Sequence, residues 1–205
     1  MSNMINEKLK YPVITIGREY CAYGRTVAAG LEKKLGIKYY DKDFVNRIIK
    51  ESGFSEDVVW DEHEAISSKA KFLDEMLSAT ALYMSPYDKI FEAQKQVVLE
   101  LAKQPCIIVG RCANSILKEA GILSFDVYLH ADIEHRKVRC AELNPEIESD
   151  QLEKYIKKVD TDRQIFYKKY AGKEVYDVRN YNISLDVGEL GIERTVDLIY
   201  SLVTY

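Results

Sequence analysis

The chain is short of most features that would mark a metalloprotein, a secreted scaffold or a nucleic-acid binder. Its 205 residues include four cysteines and three histidines. Cys21, Cys106, Cys112 and Cys140 show no C-x-x-C spacing, and His63, His130 and His135 form no ligand pattern with them. That argues against a zinc site and against a disulfide framework. Positive charge is not in excess either: 29 Lys and Arg stand against 33 Asp and Glu, for a net charge of -4. A protein gripping a nucleic-acid polymer would carry a dominant basic face. No apolar run approaches the ~18 residues needed to cross a bilayer, and the first ten residues contain no signal-peptide core. These absences predict a cytoplasmic protein with free thiols and neither membrane nor nucleic-acid polymer as partner.

What is present is an alternation. Apolar residues make up 47% of the chain, ample for a full core. Val13 to Gly17, Ile37 to Tyr40, Cys106 to Gly110, Phe125 to Leu129 and an alternating stretch from Tyr181 to Asp186 read as strands. Between them lie helical patterns: Thr26 to Leu35, stopped by Gly36; a helix after Asp43 through Phe44, Val45, Ile48 and Ile49; Ile90 to Lys103 after a break at Pro86; a helix capped by Asp132 and ended by Pro145; a long helix from Leu152 to Gly172; and a last one after Gly191. Five strands with crossover helices imply a parallel sheet in a three-layer α/β sandwich, a single domain over 1–205. The first, third and fourth strands are expected at its centre and the fifth toward an edge. The charged, aromatic stretch within about 42–85 reads as a helical insert, suited to an acceptor or to a homodimer partner.

The stretch from Tyr11 to Thr26 organises the rest. A β-branched run leads through Arg18, Glu19, Tyr20, Cys21, Ala22 and Tyr23 to Gly24-Arg25-Thr26, where a helical pattern begins. That is the layout of a phosphate-binding loop: a buried strand as anchor, a turn of inward N–H groups, a cation and a hydroxyl for Mg2+. The match to G-x-x-x-x-G-K-[ST] is partial, since Glu19 and Arg25 replace its first glycine and its lysine. Cys21 and Tyr23 also stand where small residues would give a cradle its close approach, so Tyr23 is expected to crowd it. Arg25, Arg111 after the third strand, Arg136 and Arg139 on one helix and Arg163 on the next form a set of guanidiniums fit for phosphoryl transfer, a reaction of positioning and charge neutralisation.

Thr15-Ile16-Gly17-Arg18-Glu19-Tyr20, Tyr40-Asp41, Val109-Gly110-Arg111, Tyr128 to Asp132, Glu134 to Arg139 and Ser184-Leu185-Asp186 together resemble the cytidylate kinase-like proteins, whose loop reads R-E-[YF]-G-x-G-G-R. The resemblance runs from about Tyr11 to Val203. It implies a P-loop NTPase-like fold, with ATP and Mg2+ as cofactors. Tyr20, Cys21, Ala22, Tyr23, Gly24, Arg25 and Thr26 would hold the donor phosphates, and Thr26 would help hold the metal. Asp41 and Arg111 would face the acceptor nucleotide, and Arg25, Arg136, Arg139 and Arg163 would serve transfer, the last three beside a lid at about 140–165. The implied activity is phosphoryl transfer to a nucleoside monophosphate, CMP or a related pyrimidine nucleotide. Cys112 stands where cytidylate kinases have aspartate after the arginine, which bears on the acceptor base. A nucleotide-binding or regulatory module with a degraded loop is the alternative.

Overall fold

In the computed structural model, residues 9–45 and 86–205 are described. In chain order they form β1 (Val13–Arg18), α1 (Gly24–Leu35), β2 (Tyr39–Tyr40), α2 (Pro86–Leu101), β3 (Cys106–Val109), α3 (Ala113–Glu119), β4 (Ser124–His130), α4 (Ile133–Leu143), α5 (Leu152–Ala171), a 3-10 turn (Val178–Asn180), β5 (Ile183–Asp186), α6 (Val187–Leu190) and α7 (Ile192–Val203). The expected insert falls almost wholly on 46–85, outside the described residues.

All five strands are parallel, in the order β2-β3-β1-β4-β5, with β5 at one edge. Of the three central strands, β3 is apolar and buried throughout, and β1 and β4 are mostly so, as burial on both faces requires. On one face, Val27 and Leu31 of α1 with Val196 and Ile199 of α7 cover Ile14, Ile16, Ile107 and Val127. On the other, Val98 of α2, Ile116 and Leu117 of α3 and Phe166 of α5 cover Val13, Ile108 and Tyr128. One polar pair lies between central strands: Thr15, 2% exposed, donates from Oγ1 to Asp126 Oδ1 at 2.7 Å, and Ser124 Oγ donates to the same oxygen at 2.8 Å.

Several boundaries differ from the sequence reading for local reasons. β2 shrinks to two residues, because only Tyr39 and Tyr40 pair with β3, opposite Ile107 and Ile108. Pro86 opens α2 rather than breaking the chain, since its missing N–H costs nothing in a first turn. Asp41, not Asp43, caps the helical turn that follows β2: its Oδ1 accepts from the N–H groups of Asp43 and Phe44, both at 3.1 Å. α3, α6 and the 3-10 turn have no counterpart in the sequence reading. Gly36 and Gly172 stop their helices in the left-handed region, as expected.

The register sets the working edge. Gly17 lies opposite Tyr128, Arg18 opposite Leu129, Ile16 opposite Val109 and Tyr40 opposite Ile108. The residues that follow β1, β2, β3 and β4 therefore emerge on one rim, the carboxyl edge where ligands sit in open α/β sheets.

Candidate active site

β1 delivers the chain to this rim at Arg18, and after five intervening residues α1 begins at Gly24. The turn between them is tight because two non-glycine residues enter the left-handed region, Cys21 at φ 62° and Tyr23 at φ 55°. The first α1 bond that reaches back to the turn runs from Val27 N–H to Tyr23 O at 2.9 Å. The first-turn N–H groups of Gly24, Arg25 and Thr26 thus precede the helical ladder, and such donors bind anions. Residues 18–26 line a cleft of about 430 Å³, joined by Lys42, Asp43, Arg139, Tyr155 and Arg163 among others. All seven residues expected to hold donor phosphates share this wall. The Tyr23 ring also packs against the core beneath α1, and the Arg139 guanidinium lies 5.5 Å from its centre. Burial pushes the Cys21 thiol well above its ordinary value. It therefore stays neutral and brings no negative charge to an anion site.

Two helices pin the loop from outside. Asp160 of α5 accepts from the Tyr20 N–H at 2.7 Å, and one helical turn further Arg163 donates from Nη1 to the Arg18 carbonyl at 3.2 Å. Arg163 also faces the Tyr20 ring, 5.2 Å from its centre. Arg136 of α4 donates to Asp160, and its Nε lies 3.5 Å from Glu19 Oε2. Glu19 receives a further bond from the Ala131 N–H at 3.3 Å. Burial raises the Glu19 carboxyl above its ordinary range, with Arg136 pulling the other way.

The structure therefore divides the arginines. Arg139 and Arg163 line the cleft, whereas Arg136 is 8% exposed and locked between two carboxylates behind the loop. Arg25 is exposed, and its guanidinium meets Asp41 at 2.9 Å and Asp43 at 2.5 Å. Asp41 thereby caps a turn and holds the loop cation at once. Arg111, 4% exposed and at φ 61°, lies with its guanidinium 5.8 Å from the Phe166 ring centre. It shares a cavity of about 50 Å³ with Arg18, Gly110, Asn114 and Arg163, beside the larger cleft. Cys112, the N-cap of α3 at φ 53°, packs into the core on the α2 and α3 side.

Three residues of this arrangement went unassigned in the sequence reading: Arg18, Glu19 and Asp160. The first two stand in the loop motif, and Asp160 precedes Arg163 by one helical turn, so the signals were present as spacing but not as chemistry.

This five-stranded parallel sheet with helices on both faces is the fold of the P-loop kinases. The model of the cytidylate kinase-like family matches residues 13–189, and the chain belongs to that family. Among solved structures it is similar to an uncharacterized protein from Eubacterium ventriosum ATCC 27560 (TM-score 0.69, 21% identity, covering 93% of this chain and 96% of that one). It is also similar to a shikimate kinase from Bacteroides thetaiotaomicron (0.53, 16% identity, 93% and 96%). A third similar structure is the Deinococcus radiodurans tunicamycin resistance protein (0.55, 12% identity, 94% and 95%). At these identities the likeness is one of fold. No protein of curated function matches the chain.

Proposed function

We propose that the protein is a nucleotide kinase that transfers a phosphoryl group from ATP to a nucleoside monophosphate, with CMP or a related pyrimidine nucleotide as acceptor, in the cytoplasm. The observation that carries this reading is the loop itself: left-handed backbone at Cys21 and Tyr23 leads into unladdered N–H groups at Gly24, Arg25 and Thr26, on a 430 Å³ cleft also lined by Arg139 and Arg163. The donor set fits a nucleotide polyphosphate, with amides for the inner phosphates and guanidiniums for the outer one. Thr26, on the same cleft, is the hydroxyl that would help hold Mg2+, whose charge would offset that of the phosphates. Arg25 supplies loop charge, while Arg139 and Arg163 flank the transferring group from α4 and α5. Arg111, in the smaller cavity next door, takes the acceptor's anionic end, and Asp41 holds Arg25 in place on the acceptor side. Arg136 acts at one remove, through Asp160 and Glu19.

A second reading, a nucleotide-binding module with weak turnover, has one observation in its favour: Arg25, although it lines the cleft, has its charge already paired with Asp41 and Asp43. The deciding experiment is a thermal-shift screen of nucleotides with Mg2+, followed by ADP release with CMP, UMP and other monophosphates as acceptors. A ligand of the native state at 100 times its Kd adds about 2.7 kcal/mol of stability. Stabilisation by ATP with acceptor-dependent ADP release supports the kinase; stabilisation with no turnover on any acceptor supports the module. No stabilisation by any nucleotide would end both readings.

A further inference from the structure

We infer that Arg18 is a further catalytic residue of this site, the guanidinium that spans the donor and acceptor cavities and meets the phosphoryl group in transit. The inference rests on the kinase reading and assigns a residue which that reading does not use.

Arg18 ends β1, and its side chain runs across the rim rather than away from it. Its stem lies along Gly24, the first residue of α1: a Cβ there would sit 3.0 Å from Arg18 Cγ and 3.3 Å from Cδ. Its guanidinium lies over Gly110, the residue that ends the β3 run at φ 82°, where a Cβ would collide with Nη1. Two glycines on two elements thus leave the room this one side chain fills. The larger cleft is lined by the cations Arg18, Arg25, Lys42, Arg139 and Arg163, and the smaller cavity by Arg18, Arg111 and Arg163. Among the described residues, only Arg18 and Arg163 belong to both. They are tied together, since Arg163 Nη1 donates to the Arg18 carbonyl.

In phosphoryl transfer the donor's bridging O–P bond breaks as the acceptor's O–P bond forms. Charge spreads over three equatorial oxygens located between the two binding sites. A fixed donor fork is worth most where charge develops. The boundary of the two cavities is that place, and a planar guanidinium suits paired oxygens better than an ammonium does. Arg18 gives up no proton in the step. It compensates charge, and it is carried on the end of a central strand, whereas Arg139 and Arg163 ride on helices.

The test uses the intact protein with Arg18→Gln and Arg18→Lys. Unfolding temperature is measured with Mg2+, ADP and CMP, and again after aluminium fluoride is added as a mimic of the phosphoryl group in transit. The parent is expected to gain stability from ADP and a further increment from fluoroaluminate. Arg18→Gln should keep the ADP shift and lose most of the increment, while kcat falls on the order of 10²-fold with little change in the KM for ATP. Arg18→Lys, which keeps the charge and the packing on Gly24, should recover part of both. Full retention of the increment in Arg18→Gln overturns the inference, as does loss of the ADP shift together with the increment, or a parent that binds ADP and gains nothing from fluoroaluminate. If Arg18→Gln fails to fold, Arg18→Lys decides: an undiminished increment there also overturns it. A parent that ignores ADP altogether instead removes the nucleotide reading, and it does so before any substitution is made.

Discussion

Asp160 Oδ1 accepts the backbone N–H of Tyr20 at 2.7 Å, and Asp160 Oδ2 is the partner of Arg136 Nη1. One carboxylate, 8% exposed, thus joins the loop between β1 and α1 to both α4 and α5. Asp160→Asn keeps an acceptor for Tyr20 but leaves the buried Arg136 guanidinium poorly compensated. Breaking one side of such a pair costs about 3 kcal/mol or more. Chemical denaturation should show that loss, and Arg136→Met in the same chain should restore part of it, because the stranded guanidinium is then gone while Glu19 loses its ion-pair partner but keeps the Ala131 N–H. A double variant as unstable as the sum of the singles would mean the pair is not coupled.

The left-handed backbone at Tyr23 gives a prediction about the start of α1. Tyr23 is the N-cap of that helix, a position where glycine already outranks alanine. At φ 55° a Cβ costs roughly 1–2 kcal/mol besides, and glycine avoids it. Both Tyr23→Ala and Tyr23→Gly lose the ring's core packing and its contact with Arg139, so both should be less stable than the parent. Tyr23→Gly should be the more stable of the two by about 1 kcal/mol, and it should bind ATP at least as well as the parent. Equal melting temperatures for the two variants would remove the strain argument.

Arg25 and Thr26 are adjacent but should fail differently. Arg25→Ala is expected to abolish most nucleotide stabilisation, since it removes loop charge. Thr26→Ala should leave nucleotide binding without metal nearly intact and weaken only its enhancement by Mg2+. Nucleotide titrations with and without Mg2+ separate the two. Parent-like binding by both variants would place the donor site elsewhere.

At the start of α4, His135 faces the capping carboxylate of Asp132, which also accepts from the N–H groups of Glu134 and His135. The pairing holds the imidazole above its ordinary 6.5 and Asp132 below its ordinary 3.8. The sign follows from linkage: a raised histidine contributes stability fully below pH 6.5, lost as pH rises through its folded value. The lowered aspartate contributes above pH 3.8 and loses it as pH falls through its own. The parent should therefore exceed His135→Gln in stability between about pH 4 and 6.5 and approach it at pH 9. A difference that does not depend on pH would show that His135 acts only through packing.

The sheet was legible in the sequence because burial on both faces demands mostly apolar runs; Cys106 to Val109 is one throughout, and Val13 to Ile16 is one but for Thr15. What was illegible is equally specific. α3 spans seven residues and starts after Cys112 in the left-handed region, with no side-chain cap to announce it. Asp41 and Asp43 are both good caps two residues apart, and only the path of the backbone after β2 chooses between them. Arg136 and Arg139 share a helix three residues apart, about 60° from eclipsed. That offset is enough to send one behind the loop to Asp160 and the other into the cleft. The left-handed residues Cys21, Tyr23, Arg111 and Cys112 are invisible to composition, because none is the glycine or asparagine that usually signals such backbone.

The hydroxyl of Thr15 in the middle of β1 has a consequence for how the strands find one another. Sliding β1 by one residue along β4 would exchange the faces of its side chains, forcing both buried layers to repack and turning Thr15 away from Asp126. Sliding by two preserves every face and would cost little on apolar grounds alone. It would, however, carry Thr15 away from Asp126 and leave a hydroxyl in the interior without its acceptor, a penalty of about 1–3 kcal/mol. The single polar contact between the central strands thus selects one alignment from the set that hydrophobicity leaves degenerate. Thr15→Val, stable or not, should be the variant in which misaligned β1 and β4 are easiest to trap during refolding.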